Sequence, residues 1–357
     1  MHASPRPSAP HAAVRPSRRP SRRPSAALLA LLAPGVALAA DRPVELRFAG
    51  EFAGVPFDCA ADYADVGAAG TTVGVTDYRL FVSNVALVAA DGTEVPVALE
   101  QDDLWQSGRV ALLDFEDGAG RCDNGTPETR TVVRGTVPEG EYAGVAFDLG
   151  VPFEANHGDP TLAGSPLNLT AMFWNWQGGY RFLKLDTVAL AGSGTGTAEG
   201  DATHGAATGT SARDGAMHGE PTDAAESSAG DGAAKGHAGH GGGGHGGAVG
   251  AWMLHVGSSG CASASRTSAP ASPGDCARPN RPRVALDGFD PDADAIAVDP
   301  AAALAASDLG ANAPGTAPGC MSGPDDPDCA AVMPRLGITR DGAAADQRLF
   351  AVRRDAP

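Results

Sequence analysis

The chain lacks most of the short motifs that announce an enzyme. Its 357 residues hold no Cys-x-x-Cys, which removes the usual signature of zinc ribbons and thioredoxin-like dithiols. No Cys-x-x-Cys-His occurs, so the chain carries no c-type haem of its own. The nucleophile elbow Gly-x-Ser-x-Gly, the zinc helix His-Glu-x-x-His, the P-loop and a strand–turn–helix dinucleotide fingerprint are absent as well. No apolar run approaches the ~18 residues of a membrane-spanning helix. Positive charge is also scarce: 26 Lys and Arg stand against 43 Asp and Glu, for a net charge of -17. Such a chain should not seek nucleic acid or anionic membranes. It suits cations or a basic partner protein.

What is present begins with an export signal. Residues 1–40 comprise an Arg-, Pro- and Ser-rich start without acids, a short apolar run at 26–33, and Ala37-Leu38-Ala39. That order is n-region, h-region and cleavage site, so the mature protein is expected to be exported, in the periplasm, with cleavage near Ala39. The six cysteines Cys59, Cys122, Cys261, Cys276, Cys320 and Cys329 all follow the cleavage site. An even number in an exported chain favours disulfides. Nearness in sequence suggests Cys261–Cys276 and Cys320–Cys329, which leaves Cys59–Cys122.

Short strand-like segments then recur with turn signals between them. Residues 44–48, 77–88, 94–97, 110–115, 252–256 and 283–289 read as strands, and 300–306 as one short helix. Residues 130–137 and 142–149 read as a hairpin about Pro138-Glu139-Gly140. The expected fold is mostly β: a single antiparallel β-sandwich or barrel-like domain over 41–345 with disulfide-closed loops. A Gly/His-rich stretch, about 192–250, cannot bury a core and is expected to be a long disordered insertion between two strands. Residues 346–357 are expected to fray.

The stretch with most chemistry is residues 165–186. Two of the four tryptophans, Trp174 and Trp176, sit there one residue apart. On a regular strand Met172, Trp174 and Trp176 would share one face, with Gly178-Gly179 turning into a return strand through Tyr180. A packed aromatic pair is the commoner fate of such a stripe. Outside the leader and the insertion only His157 and His255 remain. Imidazole and thioether together are ligand types for Cu(I), although each histidine could equally be a hydrogen-bonded structural residue. His237, His240 and His245 in the insertion suit accessory metal chelation or a plain solvated spacer. Asp290-x-Asp292-x-Asp294 has Ala295 and Ala301 where a calcium loop needs Gly and Glu, so it reads as a polar turn.

These residues come in an order that resembles a known family. The matching stretches are Asp77-Tyr78-Arg79-Leu80-Phe81-Val82-Ser83-Asn84, Leu112-Leu113-Asp114-Phe115-Glu116-Asp117-Gly118, Cys122-Asp123-Asn124-Gly125-Thr126 and Leu149-Gly150-Val151-Pro152-Phe153. They continue with Asn156-His157, Pro166-Leu167-Asn168, Met172-Phe173-Trp174-Asn175-Trp176-Gln177-Gly178-Gly179-Tyr180, His255-Val256-Gly257-Ser258 and Cys320-Met321-Ser322. The chain is similar to the MbnP-like periplasmic copper-binding proteins of the metallo-mystery pair system, which carry a four-Cys motif. The resemblance implies one Cu(I) per chain and a role in copper homeostasis. It also implies a partner, a di-haem cytochrome c peroxidase/MauG-like enzyme that oxidises the first Trp of W-x-W, here Trp174, to kynurenine. The expected ligands are His157, His255 and modified Trp174, with Met172 as a further donor and Trp176 and Tyr180 as the surrounding shell. A copper importer or delivery protein would receive the ion. On this reading the protein is an enzyme's substrate, not an enzyme. The rival readings are a mononuclear copper oxidase and a metal-free, adhesion-like β-sandwich.

Overall fold

The longest strand, Thr71–Ala89, organises the molecule. Its apolar and β-branched residues are buried on both faces, so it reads as a central strand rather than a half-solvated one. In the computed structural model, which describes residues 40–190, 248–323, 325–339 and 345–354, this strand pairs with Leu183–Leu190 along its first half and with Tyr142–Leu149 along its second. Val110–Asp114 pairs on its other edge. Ala248–Val256 extends the sheet beyond Leu183–Leu190, and Arg283–Asp287 extends it beyond Tyr142–Leu149.

A second sheet runs in the order Phe350–Arg353, Ala295–Val298, Asp41–Phe52, Val132–Pro138, Ala98–Leu99. The two sheets face each other across an aromatic core. Phe147 of the first meets Phe48 and Phe350 of the second, at 5.8 and 4.9 Å between ring centroids. Tyr78 of the long strand donates its hydroxyl across the gap to the Val298 carbonyl at 2.7 Å. The mostly β sandwich is therefore as expected. Pairing is not wholly antiparallel: Arg47–Gly50 runs parallel to Ala295–Val298, and Met253-Leu254 parallel to Gly319-Cys320. Among the described residues no helix is long and apolar enough to cross a membrane.

The three disulfides are Cys59–Cys122, Cys261–Cys276 and Cys320–Cys329. The first pins the loop after the first strand to the Gly/Asp-rich loop after Val110–Asp114. It brings the Cys122 sulfur over the long strand, 3.8 Å from the Val75 carbonyl.

Two local expectations are corrected. Val132–Pro138 and Tyr142–Leu149 do not form a hairpin; they lie in different sheets. The Pro138-Glu139-Gly140 turn is a corner between layers, because each strand finds a longer partner, Asp41–Phe52 for one and Thr71–Ala89 for the other. The tail expected to fray from residue 346 instead contributes the strand Phe350–Arg353, paired with Ala295–Val298. Its anchor is Phe350, which is 3% exposed and edge-on to Phe147. Asp290 and Asp294 spend their carboxylates on backbone N–H groups of their own turn, as a polar turn does. The leader, and His237, His240 and His245 in the insertion, lie outside the described residues. The strands on either side of residues 191–247 pair antiparallel, with Leu190 opposite Ala248.

Candidate metal centre

The face of the first sheet turned away from the sandwich core carries charge. Strand register sets Asp114, Arg79, Lys184 and His255 in one row across four strands, and Asp77 and Asp186 side by side in the next. All six are mostly buried. Asp77, Arg79, Lys184, Asp186 and His255 are linked by ion pairs and hydrogen bonds, as burial requires, while the Asp114 carboxyl accepts from the Glu116 N–H at 3.3 Å. Arg79 forks onto Asp77, its Nε donating at 2.9 Å, and lies 3.6 Å from Glu116. Lys184 bridges Asp77 and Asp186, donating to the latter at 2.7 Å. Burial would raise the Asp186 pKa, but the hydrogen bond with His255 and the Lys184 charge outweigh it and hold the carboxyl at about 2. Burial and the Glu116 charge push Asp114 the other way, up to about 8.

His255 ends the row. Its Nε2 lies 2.5 Å from Asp186 Oδ1, and its Nδ1 lies 3.3 Å from Arg181 Nε. An arginine Nε–H can only donate, so these partners assign Nδ1 as the acceptor and Nε2 as the protonated nitrogen. A carboxylate behind one imidazole nitrogen is the arrangement that orients a histidine for a metal at the other.

Over His255 lies the tryptophan hairpin. Phe173–Asn175 pairs with Gly179-Tyr180. Asn175 closes the turn by accepting from the Gly178 N–H at 2.7 Å, the local bond that favours Asn in turns. Position 179 must be glycine: its φ is +75°, and a Cβ there would fall 2.4 Å from the Asn156 carbonyl oxygen. Trp174, half-buried, sits with its ring centroid 6.2 Å from that of His255. The Arg181 guanidinium stacks over the indole, Cζ 5.3 Å from the ring.

A family model described as MbnP matches residues 41–322. The chain belongs to the MbnP family. A solved structure, MbnP from Methylosinus trichosporium, is 28% identical to it with a TM-score of 0.62, over 89% of this chain and 100% of that one. No curated protein matches the chain.

Within this MbnP-family fold the residues singled out from the sequence separate. Trp174 and His255 come together. Met172 does not join them on one strand face, because residues 170–172 form a 3-10 turn and Met172 is wholly buried in the main core. Trp176 also leaves the expected face: its ring packs against Phe173 at 6.1 Å. Phe173 in turn packs on Tyr180 at 5.2 Å, so Trp176 and Tyr180 form an aromatic shell about Phe173.

His157 belongs to a second cluster. Its ring packs on Phe153 at 4.7 Å, and its Nε2 lies 3.1 Å from Asn156 Nδ2 and 3.7 Å from Cys276 Sγ. Burial lowers its pKa and so favours the neutral imidazole. His157, Cys261 and Cys276 have donor atoms within 4.8 Å of one another. The two sulfurs are bonded to each other, so the group offers no thiolate. Asn156 links the clusters, donating to the Gly178 carbonyl at 3.2 Å and accepting from the Tyr180 N–H at 2.8 Å.

Further residues of the site were not legible as such in the sequence. Met321 lines the same surface cleft as Trp174, together with Gln177, Ser259 and Arg266. Ser322 fixes that segment beside His255, donating to its carbonyl at 2.9 Å and accepting from the Gly257 N–H at 3.1 Å. Arg181 holds the space between Trp174 and His255. The sequence hint for Met321, Ser322 and Arg181 was membership of matched or adjoining stretches, Cys320-Met321-Ser322 and the residue after Tyr180.

Proposed function

We propose that the protein is a periplasmic copper-homeostasis protein that binds one Cu(I) beside Trp174, after a di-haem MauG/peroxidase-like partner has converted that residue to kynurenine. The observation that carries this reading is the approach of Trp174 to a histidine already oriented by a carboxylate, 6.2 Å between ring centroids. The donors fit the ion. An imidazole Nδ1 from His255 and a thioether from Met321 are borderline and soft ligands, suited to Cu(I) rather than to Mg or Ca. The acidic residues nearby are already committed to Arg79 and Lys184.

An intact indole adds no good donor, because its nitrogen lone pair belongs to the ring. Oxidative cleavage of the C2–C3 bond inserts two oxygen atoms, from dioxygen or from two molecules of peroxide each reduced to water. Hydrolysis then releases the formyl carbon as formate. The product carries an aryl amine and a ketone that can face the ion. The half-exposed position of Trp174 on an open cleft leaves it within reach of an enzyme docked on that surface. The protein is then a substrate of the oxidase and a carrier of copper, storing it or handing it to an importer or delivery protein.

The test is co-expression with and without the di-haem partner, followed by peptide mass and copper per chain. The expected result is kynurenine at Trp174 together with one copper. Full copper loading on a peptide with intact Trp174 would falsify the mechanism.

A further inference from the structure

We propose that Arg181 is a guard on the cation seat, held between Trp174 and His255 by the intact indole and released when that ring is oxidised. The inference rests on the copper reading above and adds a reason why binding should wait for the modification.

Four contacts fix the guanidinium. Its Nε donates to His255 Nδ1 at 3.3 Å. Its Nη1 donates to the carbonyls of Ala171 at 3.0 Å and Phe173 at 2.9 Å. Its Cζ lies over the indole of Trp174, 5.3 Å from the ring centroid. A planar fork can make these contacts together, and a lysine could not.

The consequence follows from the histidine. Nε2 is committed to Asp186, so Nδ1 holds the one lone pair that His255 can offer. Arg181 already occupies that lone pair, and it brings a permanent positive charge to the place an incoming cation would take. Few counter-charges stand free to offset two cations there, since Asp186 and Asp77 are engaged by Lys184 and Arg79. A cation therefore enters only if the guanidinium leaves.

The indole decides whether it leaves. Cation–π attraction is strongest over the electron-rich face of tryptophan. Opening the pyrrole ring removes half of that platform and sets an electron-withdrawing ketone on what remains. The hold from the ring weakens while the two backbone carbonyls on Nη1 persist, so the guanidinium can pivot about them away from His255. One chemical event thus supplies a donor and withdraws a competitor. The unmodified protein would pass through the envelope without collecting stray cations at this site.

The experiment uses full-length protein made without the oxidase, so that Trp174 is intact. Cu(I) affinity is measured by competition with a chromophoric chelator for wild type, Arg181→Gln, Trp174→Leu and the double variant Arg181→Gln/His255→Ala. Circular dichroism checks each fold, and side-chain 15N NMR reports His255 Nδ1. Arg181→Gln should bind at least about tenfold tighter than intact wild type, a change of about 1.4 kcal/mol, with the Nδ1 signal losing its hydrogen-bonded character. Trp174→Leu, which removes the platform without adding a donor, should shift the same way by a smaller factor. The double variant should fall back to the wild-type value. If Arg181→Gln does not fold, Trp174→Leu decides. Folded variants no tighter than intact wild type overturn the guard while leaving the copper reading in place. Failure of that reading looks different: kynurenine-bearing wild type binds no Cu(I), or intact wild type binds as tightly as modified protein. Either result removes the guard too.

Discussion

Asp186 and His255 meet on neighbouring strands, His255 Nε2 2.5 Å from Asp186 Oδ1, although they sit diagonally in the register, with Lys184 directly opposite the histidine. This contact sets the tautomer and aims Nδ1 at the tryptophan hairpin. Asp186→Asn keeps the shape and loses the charge. It should weaken Cu(I) binding by about 10–100-fold, the usual cost of losing such a support, as read by chelator competition on kynurenine-bearing protein. Unchanged affinity would mean that His255 needs no carboxylate behind it.

The same carboxyl makes a prediction about acid. Held at about 2 when folded against an ordinary value near 4, Asp186 contributes stability that is present above the ordinary value. It is lost as pH falls from about 4 towards 2. Denaturation curves of wild type and Asp186→Asn should converge over that window. Parallel curves would show that the contact adds nothing.

Asp114 behaves oppositely. Folded, it keeps its proton up to about 8; unfolded, it loses it near 4. The folded state binds more protons in between, so this residue costs stability as pH rises from about 4 to about 8. Asp114→Asn should flatten the pH dependence across that range and stabilise the protein above it. Urea midpoints at several pH values measure this, and an unchanged slope contradicts the burial argument.

The three-dimensional site puts Met172, the donor expected from the resemblance, in the core, and Met321 on the cleft beside Trp174. Met172→Ala leaves a cavity in the core and should cost about 2–5 kcal/mol of stability with copper loading retained in the folded fraction. Met321→Ala should leave stability nearly unchanged and lower Cu(I) affinity, and His255→Ala should abolish tight binding. His157→Ala should act on the Phe153–Cys276 cluster and leave affinity within a few-fold. Loss of copper from His157→Ala, with retention in His255→Ala, would exchange the two histidines' roles.

Gly257 packs beneath the tryptophan. A Cβ there would lie 2.8 Å from Trp174 Cζ3 and 2.7 Å from the Tyr180 carbonyl. Gly257→Ala should displace the indole, cost about 1–3 kcal/mol and lower the yield of kynurenine under co-expression. Normal modification and loading would show that the ring position is not critical.

The disulfides and most strands were legible because their signals are local. Cys261–Cys276 and Cys320–Cys329 close short loops, alternation marks residues 44–48 and 283–287, and a continuous apolar run marks 110–113, all without reference to partners. What failed depends on partners. Pro138-Glu139-Gly140 signals a reversal but not whether the flanking strands pair with each other or with different sheets. Met172, Trp174 and Trp176 share a face only on a regular strand. Here a 3-10 turn precedes Trp174, and the Phe173–Asn175 pairing carries an irregularity. Leu349-Phe350 at the chain's end is too short a run to outweigh its position. Asp186, Arg181 and Met321 acquire meaning only from register and from contacts spanning 69 and 74 residues between His255 and its two partners.

On the proposed function, a cuprous ion sits among the His255 imidazole, the Met321 thioether and the oxidised Trp174. X-ray absorption at the copper edge of the loaded protein tests it most directly. The expected spectrum has a Cu(I) edge with both nitrogen and sulfur scattering, the sulfur lost in Met321→Ala. A shell of nitrogen and oxygen alone, or a spectrum unchanged in His255→Ala and Met321→Ala, would contradict it.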